Sequence, residues 1–453
     1  MKRVNRKTLL GAALLLVCGG IFMFWGSRIA RSRPLGMLDF RPLYYGTGCL
    51  IQSHDPYDQA NLERFYFSQG GLQPTDPSWE TYVLTLFNNL PTVFPIMAPF
   101  AFLSWGAASS AWLYLTAGLY GLAVVLTWSL VGKDGYATST FLLGLLLANS
   151  EVTLGGGNAA GLVISLCAIS VWCFVKGRFA ELGVIGLAVG LGIKPHDVGL
   201  IWLFFLLTSH LFRKRALATL AVCLCLGLVS AIWTFHVAPA WMQEFLANTA
   251  RFQLQGGANN PGIGAPGPHA RHFGLAVFPG MLIGLQSVIA PFRDDPWFYN
   301  LGTYLICGPM LVIWIVTVVR SRYSTSNAYL AVAAVVPLTL LVTYHRTTDA
   351  KLLMLTIPAC ALLWAEGGRI GKIALALTTV GIVMTGDITL TVLGMLIGKV
   401  DWSNGGLMHR AALVILTRPI PFVLLAMAVF YLWVYVRRAR EGAEAGGSSA
   451  AIH

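Results

Sequence analysis

The residues equipped for chemistry in this sequence lie in four short segments. The first is Met37-Leu38-Asp39-Phe40-Arg41-Pro42-Leu43-Tyr44-Tyr45, followed by His54-Asp55-Pro56-Tyr57. Asp39 stands about a dozen positions beyond an apolar run, close to where a bilayer surface would be. Phe40, Tyr44 and Tyr45 around it suit the apolar-polar boundary, and the two tyrosines are candidate substrate contacts. A carboxylate at that depth can act as general base toward an amphiphile whose reactive group sits among the headgroups. The same spacing also fits an aspartate that caps a juxtamembrane helix, with Pro42 in the first turn.

The second segment, Glu151-Val-Thr-Leu-Gly-Gly-Gly-Asn158, is a glycine-rich bend; the third is Lys194-Pro195-His196-Asp197; the fourth is Tyr344-His345-Arg346-Thr-Thr-Asp349. Lys194, His345 and Arg346, with Arg41 next, are the cations that could meet a phosphate: arginine by bidentate hydrogen bonds, lysine as a point charge. Glu151 is costly to bury at a membrane surface; with Asn158, His196 and Asp349 it is a candidate substrate contact. The bland alternatives are a solvated Glu151, structural roles for His196 and Asp197, and an Asp349 that pairs with Arg346 or caps the next helix. His269, Arg271 and His272 could gate or contact an acceptor. Gly155-Gly156-Gly157 is no phosphate loop of the nucleotide-binding kind, because no Gly-Lys-Ser/Thr follows.

What positions these residues is a chain built for lipid. Of 453 residues 56% are hydrophobic and only 11% charged, against about 25% charged in soluble domains. A soluble enzyme, a disordered chain and a disulfide scaffold are thereby excluded. The eight cysteines form no CxxC pair, so neither a zinc site nor a disulfide framework is supported. The net charge of +12 comes from short basic clusters between apolar runs, at Lys2–Lys7, Lys176/Arg178, Arg213–Arg215, Arg320/Arg322, Arg369/Lys372 and Arg437–Arg440. That is a topology signal rather than a nucleic-acid surface: it puts both termini in the cytoplasm. The expected localisation is a bacterial plasma membrane, with the four polar segments facing outside.

Eight runs are long enough to span: 9–27, 107–131, 216–236, 301–319, 327–344, 350–366, 373–397 and 412–436. Shorter apolar runs at 85–104, 137–150, 157–175, 180–193 and 196–211 bring the expected total to eleven to thirteen. The expected fold is therefore an all-α polytopic bundle with short broken helices. Residues 1–436 form one membrane domain, with long outer loops at 28–82 and 237–272, and 437–453 is a small polar, disordered tail. Pro195 breaks the helical ladder, which membrane depth tolerates only beside a cavity or protein interior.

Asp39-Phe-x-x-x-Tyr44-Tyr45 followed by Asp55-Pro-Tyr57 resembles the first extracytoplasmic loop of glycosyltransferase family 87, within the GT-C superfamily. The Pro-rich run Asn89 to Pro99, Gly157-Asn158, Lys194-Pro195 and Tyr344-His345-Arg346-x-x-Asp349 follow in the family's order, across roughly residues 35 to 365. The family commonly carries glutamine where Asn158 stands, and its pattern is not matched by the loop at 251–275. The resemblance implies an inverting hexosyltransferase, mannosyltransferase-like, with Asp39 as base. It further implies a polyprenyl-phosphate-sugar donor and a lipid-linked or other envelope glycan as acceptor. Asp39, Asp55 and Asp58 could gather around a divalent cation, but lysine and arginine beside the phosphate make one unnecessary, so no metal and no cofactor is expected. The alternative from another class is a transporter or lipid-linked-glycan flippase, whose broken helices would hold charge at mid-depth.

Overall fold

A computed structural model describes residues 6–32, 36–71, 84–254, 259–262, 282–397 and 406–450. Every regular element among them is helical; the one extended pairing is an isolated antiparallel bridge between Leu282 and Arg346. The polytopic all-α bundle expected from composition is what the chain forms. Seven helices are long and apolar enough to cross a membrane: α1 (Arg6–Ala30), α5 (Trp105–Leu130), α8 (Ala159–Lys176), α11 (His210–Val237), α14 (Pro296–Arg320), α15 (Thr325–Val342) and α20 (Ile420–Ala450). An eighth is a pair, α17 (Gly368–Met384) and α18 (Asp387–Ile397), bent by 63°.

The larger expected total counted runs that form shorter helices. α9 (Ala180–Ile193), α10 (Pro195–Leu207) and α19 (Leu407–Thr417) have 14, 13 and 11 residues, short of the ~20 that a crossing needs. Besides the bent pair within 373–397, two more runs read as continuous spans are interrupted. The run at 412–436 breaks at Arg418-Pro419, because proline disfavours helix in the residue before it and lacks the N–H that the ladder requires. The run at 350–366 opens as a 3-10 turn, Asp349–Thr356, before α16 (Ile357–Glu366).

Two helices form the centre: α8, held between α5 and α9, and α15, packed along α20. Both are largely buried, whereas α1, α11 and α14 turn leucine, isoleucine, valine and phenylalanine outward, among them Leu16, Leu224, Phe235 and Leu305. Such exposure is stable only where lipid replaces water.

The basic clusters gather at one end of the bundle. There Arg215 donates to Phe174 O at 3.1 Å, Tyr329 to Leu130 O at 2.8 Å, and Arg438 to Glu366 at 2.9 Å. The opposite end carries the chemistry-bearing segments and two outer elements. The first long loop folds as α2 (Phe40–Ile51) and α3 (Gln59–Ser68), ahead of α4 (Val93–Ala101). The second begins as α12 (Trp241–Gln253), which closes on the first through Asn248, whose Nδ2 donates to Tyr57 O at 2.8 Å and Phe87 O at 3.1 Å. His269, Arg271 and His272 lie outside the described residues.

Asn248→Leu should strand two buried carbonyls, each at about 1–3 kcal/mol. The expected result is faster amide exchange in α12 and in residues 54–58, with the exchange of α8 and α15 unchanged.

Candidate active site

The aspartate of the first segment is positioned by the glycine-rich bend. Met37 takes a left-handed backbone (φ 57°), and its N–H donates to Gly155 O at 2.9 Å. The Asp39 N–H donates to Gly156 O at 2.9 Å. The bend comes this close because it has no side chains: a Cβ on Gly157, whose φ is 68°, would stand 2.8 Å from Met37 Sδ and Phe40 Cβ. Trp112 Nε1 closes the bend by donating to Gly157 O at 3.1 Å.

Asp39 precedes α2, yet its side chain makes no capping bond. Instead Oδ2 accepts from Asn158 Nδ2 at 2.7 Å. Asn158 itself caps α8, its Oδ1 accepting from Ala160 N at 2.8 Å, and the same oxygen lies 3.3 Å from Lys194 Nζ. Lys194 occupies the break between α9 and α10, where the ammonium is free of helical packing. It pairs with Asp349 Oδ1 at 2.6 Å. Asp349 Oδ2 accepts the Arg346 N–H at 2.7 Å, and the Arg346 guanidinium donates to Tyr344 OH and, at 3.0 Å, to Asn259 Oδ1. The charge of Asp39 acts on that guanidinium. Residues from four distant stretches thus form one chain of contacts: Asp39, Asn158, Lys194, Asp349, Arg346.

A second layer lies beneath Lys194. Asp197 is fully buried, with Oδ2 3.9 Å from Lys194 Nζ and Oδ1 3.1 Å from His345 Nε2. His345 Nδ1 lies 3.2 Å from Thr343 O. A protonated imidazole donates toward both the carbonyl and the Asp197 carboxylate, and a neutral ring accepts at Nδ1 from Thr343 Oγ1, 3.3 Å away. Burial works against that charge, but the Asp197 contact outweighs it and raises the His345 pKa above the ordinary histidine value. His196 Nε2 stands 3.8 Å from Asp197 Oδ1. His196, Asp197 and His345 are the residues, among those described, whose ligand atoms cluster within 4.8 Å and could hold a cation; the Lys194 ammonium already supplies positive charge there, 3.9 Å from Asp197 Oδ2. Asp55 and Asp58 are engaged locally instead, accepting from Tyr57 N at 2.8 Å and Ala60 N at 3.0 Å.

Other expected site residues stand apart from this chain. Arg41 is buried under α2 and donates to Gly36 O at 2.9 Å. Tyr44 donates to Leu103 O at 2.6 Å, and Tyr45 stacks on Trp105 with ring centroids 5.4 Å apart. These aromatics brace α2 against the start of α5. Glu151 feels the charges of Asp387 and Lys351, in a separate cluster in which Lys351 Nζ donates to Asn149 O at 2.6 Å and lies 3.6 Å from Asp387 Oδ1, while Asp387 Oδ2 accepts from Val152 N at 2.7 Å.

The model of glycosyltransferase family 87 matches residues 87–343, more than half of the chain. The chain belongs to glycosyltransferase family 87. It is accordingly a membrane glycosyltransferase. Comparison with curated proteins and with solved structures returned no match. The family match includes Asn158, Lys194 and Asp197, while Asp39 precedes it and His345, Arg346 and Asp349 follow it. In this family 87 enzyme the fold carries both flanks onto the matched core. Reading the sequence missed Lys351 and Asp387 because both sit in apolar runs counted as spans; an ionisable residue inside such a run was the available signal. Asn259 carried no signal, being one amide in a polar loop.

Gly157→Ala places a side chain in a left-handed backbone, at about 1–2 kcal/mol, and against Met37. Thermal unfolding in detergent should fall by several degrees, and transferase activity should fall further than that loss of stability accounts for.

Proposed function

We propose that the chain is an inverting glycosyltransferase that moves a hexose, mannose-like, from a polyprenyl-phosphate sugar to a lipid-linked or other envelope glycan. The work is done at the extracytoplasmic face, and the basic end of the bundle lies in the cytoplasm. The observation that carries this reading is the chain of contacts from Asp39 to Arg346: a carboxylate and fixed cations share one end of the bundle without a direct ion pair to Asp39 among the described residues.

Asp39 removes the proton from an acceptor hydroxyl as that oxygen attacks the anomeric carbon. The bond from that carbon to the phosphate oxygen breaks, its electron pair leaves with the polyprenyl phosphate, and the configuration inverts. Lys194, Arg346 and the His345 imidazolium neutralise the departing phosphate, where preformed charge in a water-poor site is most effective. Asn158 orients Asp39, and Asp349 holds Lys194 and the Arg346 backbone. His196 and Asp197 support the imidazolium from below. A divalent cation is not part of this mechanism. The charges gather in one chain of contacts at one end of the bundle, which favours transfer chemistry over a transport path.

Asp39→Asn keeps the size and the contact partner of the side chain and removes the base. It should fold and insert normally while transfer from labelled polyprenyl-phosphate hexose drops by about 10²–10⁴-fold; near-normal turnover would sink the assignment. Affinity for polyprenyl phosphate should be greatest below the raised pKa of His345 and fall as pH rises through it. His345→Gln should flatten that profile, as read by titrating the lipid at fixed pH values.

A further inference from the structure

Beside Arg346, whose guanidinium meets Tyr344 and Asn259, lies a 60 Å³ cavity whose lining includes Gln253, Asn259, Gln286, Tyr299, Asn300 and Tyr344. We infer that it is a glycosyl subsite that takes the hydroxyl-bearing edge of one uncharged sugar ring; this rests on the transferase reading above and names the ligand of that site. The lining decides the chemistry. Among the described residues it holds four carboxamides and two phenols, no carboxylate, no lysine and no arginine, and His345 forms part of one wall. A phosphate would seek cations, and an isoprenoid chain would leave the amides desolvated and unpaired, at about 1–3 kcal/mol for each group. Vicinal hydroxyls, each a donor and an acceptor, match side-by-side amides.

The amides are presented rather than spent. Asn259 uses Oδ1 on Arg346, at 3.0 Å, which leaves Nδ2 as donor. Gln286 Nε2 donates to Asn300 Oδ1 at 3.1 Å and to Val342 O at 3.3 Å, so among the described residues Gln286 Oε1 and Asn300 Nδ2 remain available as acceptor and donor. The walls are built. Residues 282–285 pair with 341–346 through Ile283 N to His345 O at 3.0 Å and Leu285 N to Leu341 O at 3.1 Å. Buried Arg418, at the break between α19 and α20, donates to Pro261 O at 2.6 Å, to Gly262 O at 3.0 Å and to Ser287 O. A water needs about 10–15 Å³, so the cavity has room for about four to six water-sized groups, enough for the hydroxyl-bearing edge of one sugar ring whose remainder projects from the mouth. A phosphate on the Arg346 guanidinium would have its sugar at the mouth. The ring belongs to the donor or to the acceptor, and kinetics separate the two.

The test is Asn300→Ala and Tyr299→Phe in the full chain, with Asp39 and the cations intact. Binding of sugar-free polyprenyl phosphate should stay unchanged, and the melting temperature should stay within a few degrees of the parent. A donor ring in the cavity raises the KM for polyprenyl-phosphate mannose about tenfold and leaves the acceptor KM alone; an acceptor ring gives the reverse. In either case one singly deoxygenated sugar should lose about tenfold with the parent enzyme and nothing further with Asn300→Ala. Unchanged KM for both substrates, or equal weakening of sugar-free polyprenyl phosphate, overturns the subsite while leaving the transferase reading intact. A parent enzyme that neither binds nor turns over any polyprenyl-phosphate hexose overturns the transferase reading, and the subsite with it.

Discussion

The arrangement depends on one neutral side chain between opposite charges. Asn158 gives its amide hydrogen to Asp39 and turns its oxygen toward Lys194. Charges this close in a water-poor setting attract strongly, and an aspartate collapsed onto the lysine would be a weaker base. Two features prevent that. Lys194 is claimed by Asp349 at 2.6 Å, and Asn158 is held in place because its own Oδ1 caps α8 through Ala160 N. The carboxylate therefore meets an oriented dipole, while the cations are organised by another acid.

That solution explains why the backbone is so irregular at this end. A continuous helix buries its polar groups in its own ladder and offers side chains only around its circumference. The breaks at Lys194-Pro195, at 343–348 and at Arg418-Pro419 each release a chain end or turn in a layer where polar backbone must line a cavity or be covered by protein. They are covered: by the glycine bend under Asp39, by the extended pairing of 282–285 with 341–346, and by Arg418 on the carbonyls of 261, 262 and 287. Lys351 does the same work one step away, tying Asn149 O and Thr385 O across the kink before α18. Buried cations in this protein mostly answer backbone carbonyls or acids left over by broken helices.

The opposite end has no such demands. Its basic clusters need only the aqueous phase, and single contacts such as Arg215 on Phe174 O and Arg438 on Glu366 tie its helix ends together. One end of the bundle is specified by polar contacts and the other by charge sign.

Hydropathy alone determined the class of fold and most helices, because twenty apolar residues have few places to go other than a bilayer. It even located the Lys194-Pro195 break, since proline's missing N–H is a local fact. It also singled out Asp39, Asn158, Lys194, His345, Arg346 and Asp349, which are rare polar residues at the ends of apolar runs. Periodicity was silent on the rest. It could not say that Asp39 reaches Asn158 rather than capping α2, or that Tyr44, Tyr45 and Arg41 brace α2 instead of joining the charged chain. Nor could it pair Asp197 with His345, or Glu151 with Asp387 and Lys351. Those outcomes depend on which helix ends meet, and that is set by packing between segments 36 to 235 residues apart, where no local spacing carries information. Sequence chose the residues that could act; only the tertiary contacts decided which of them face one another.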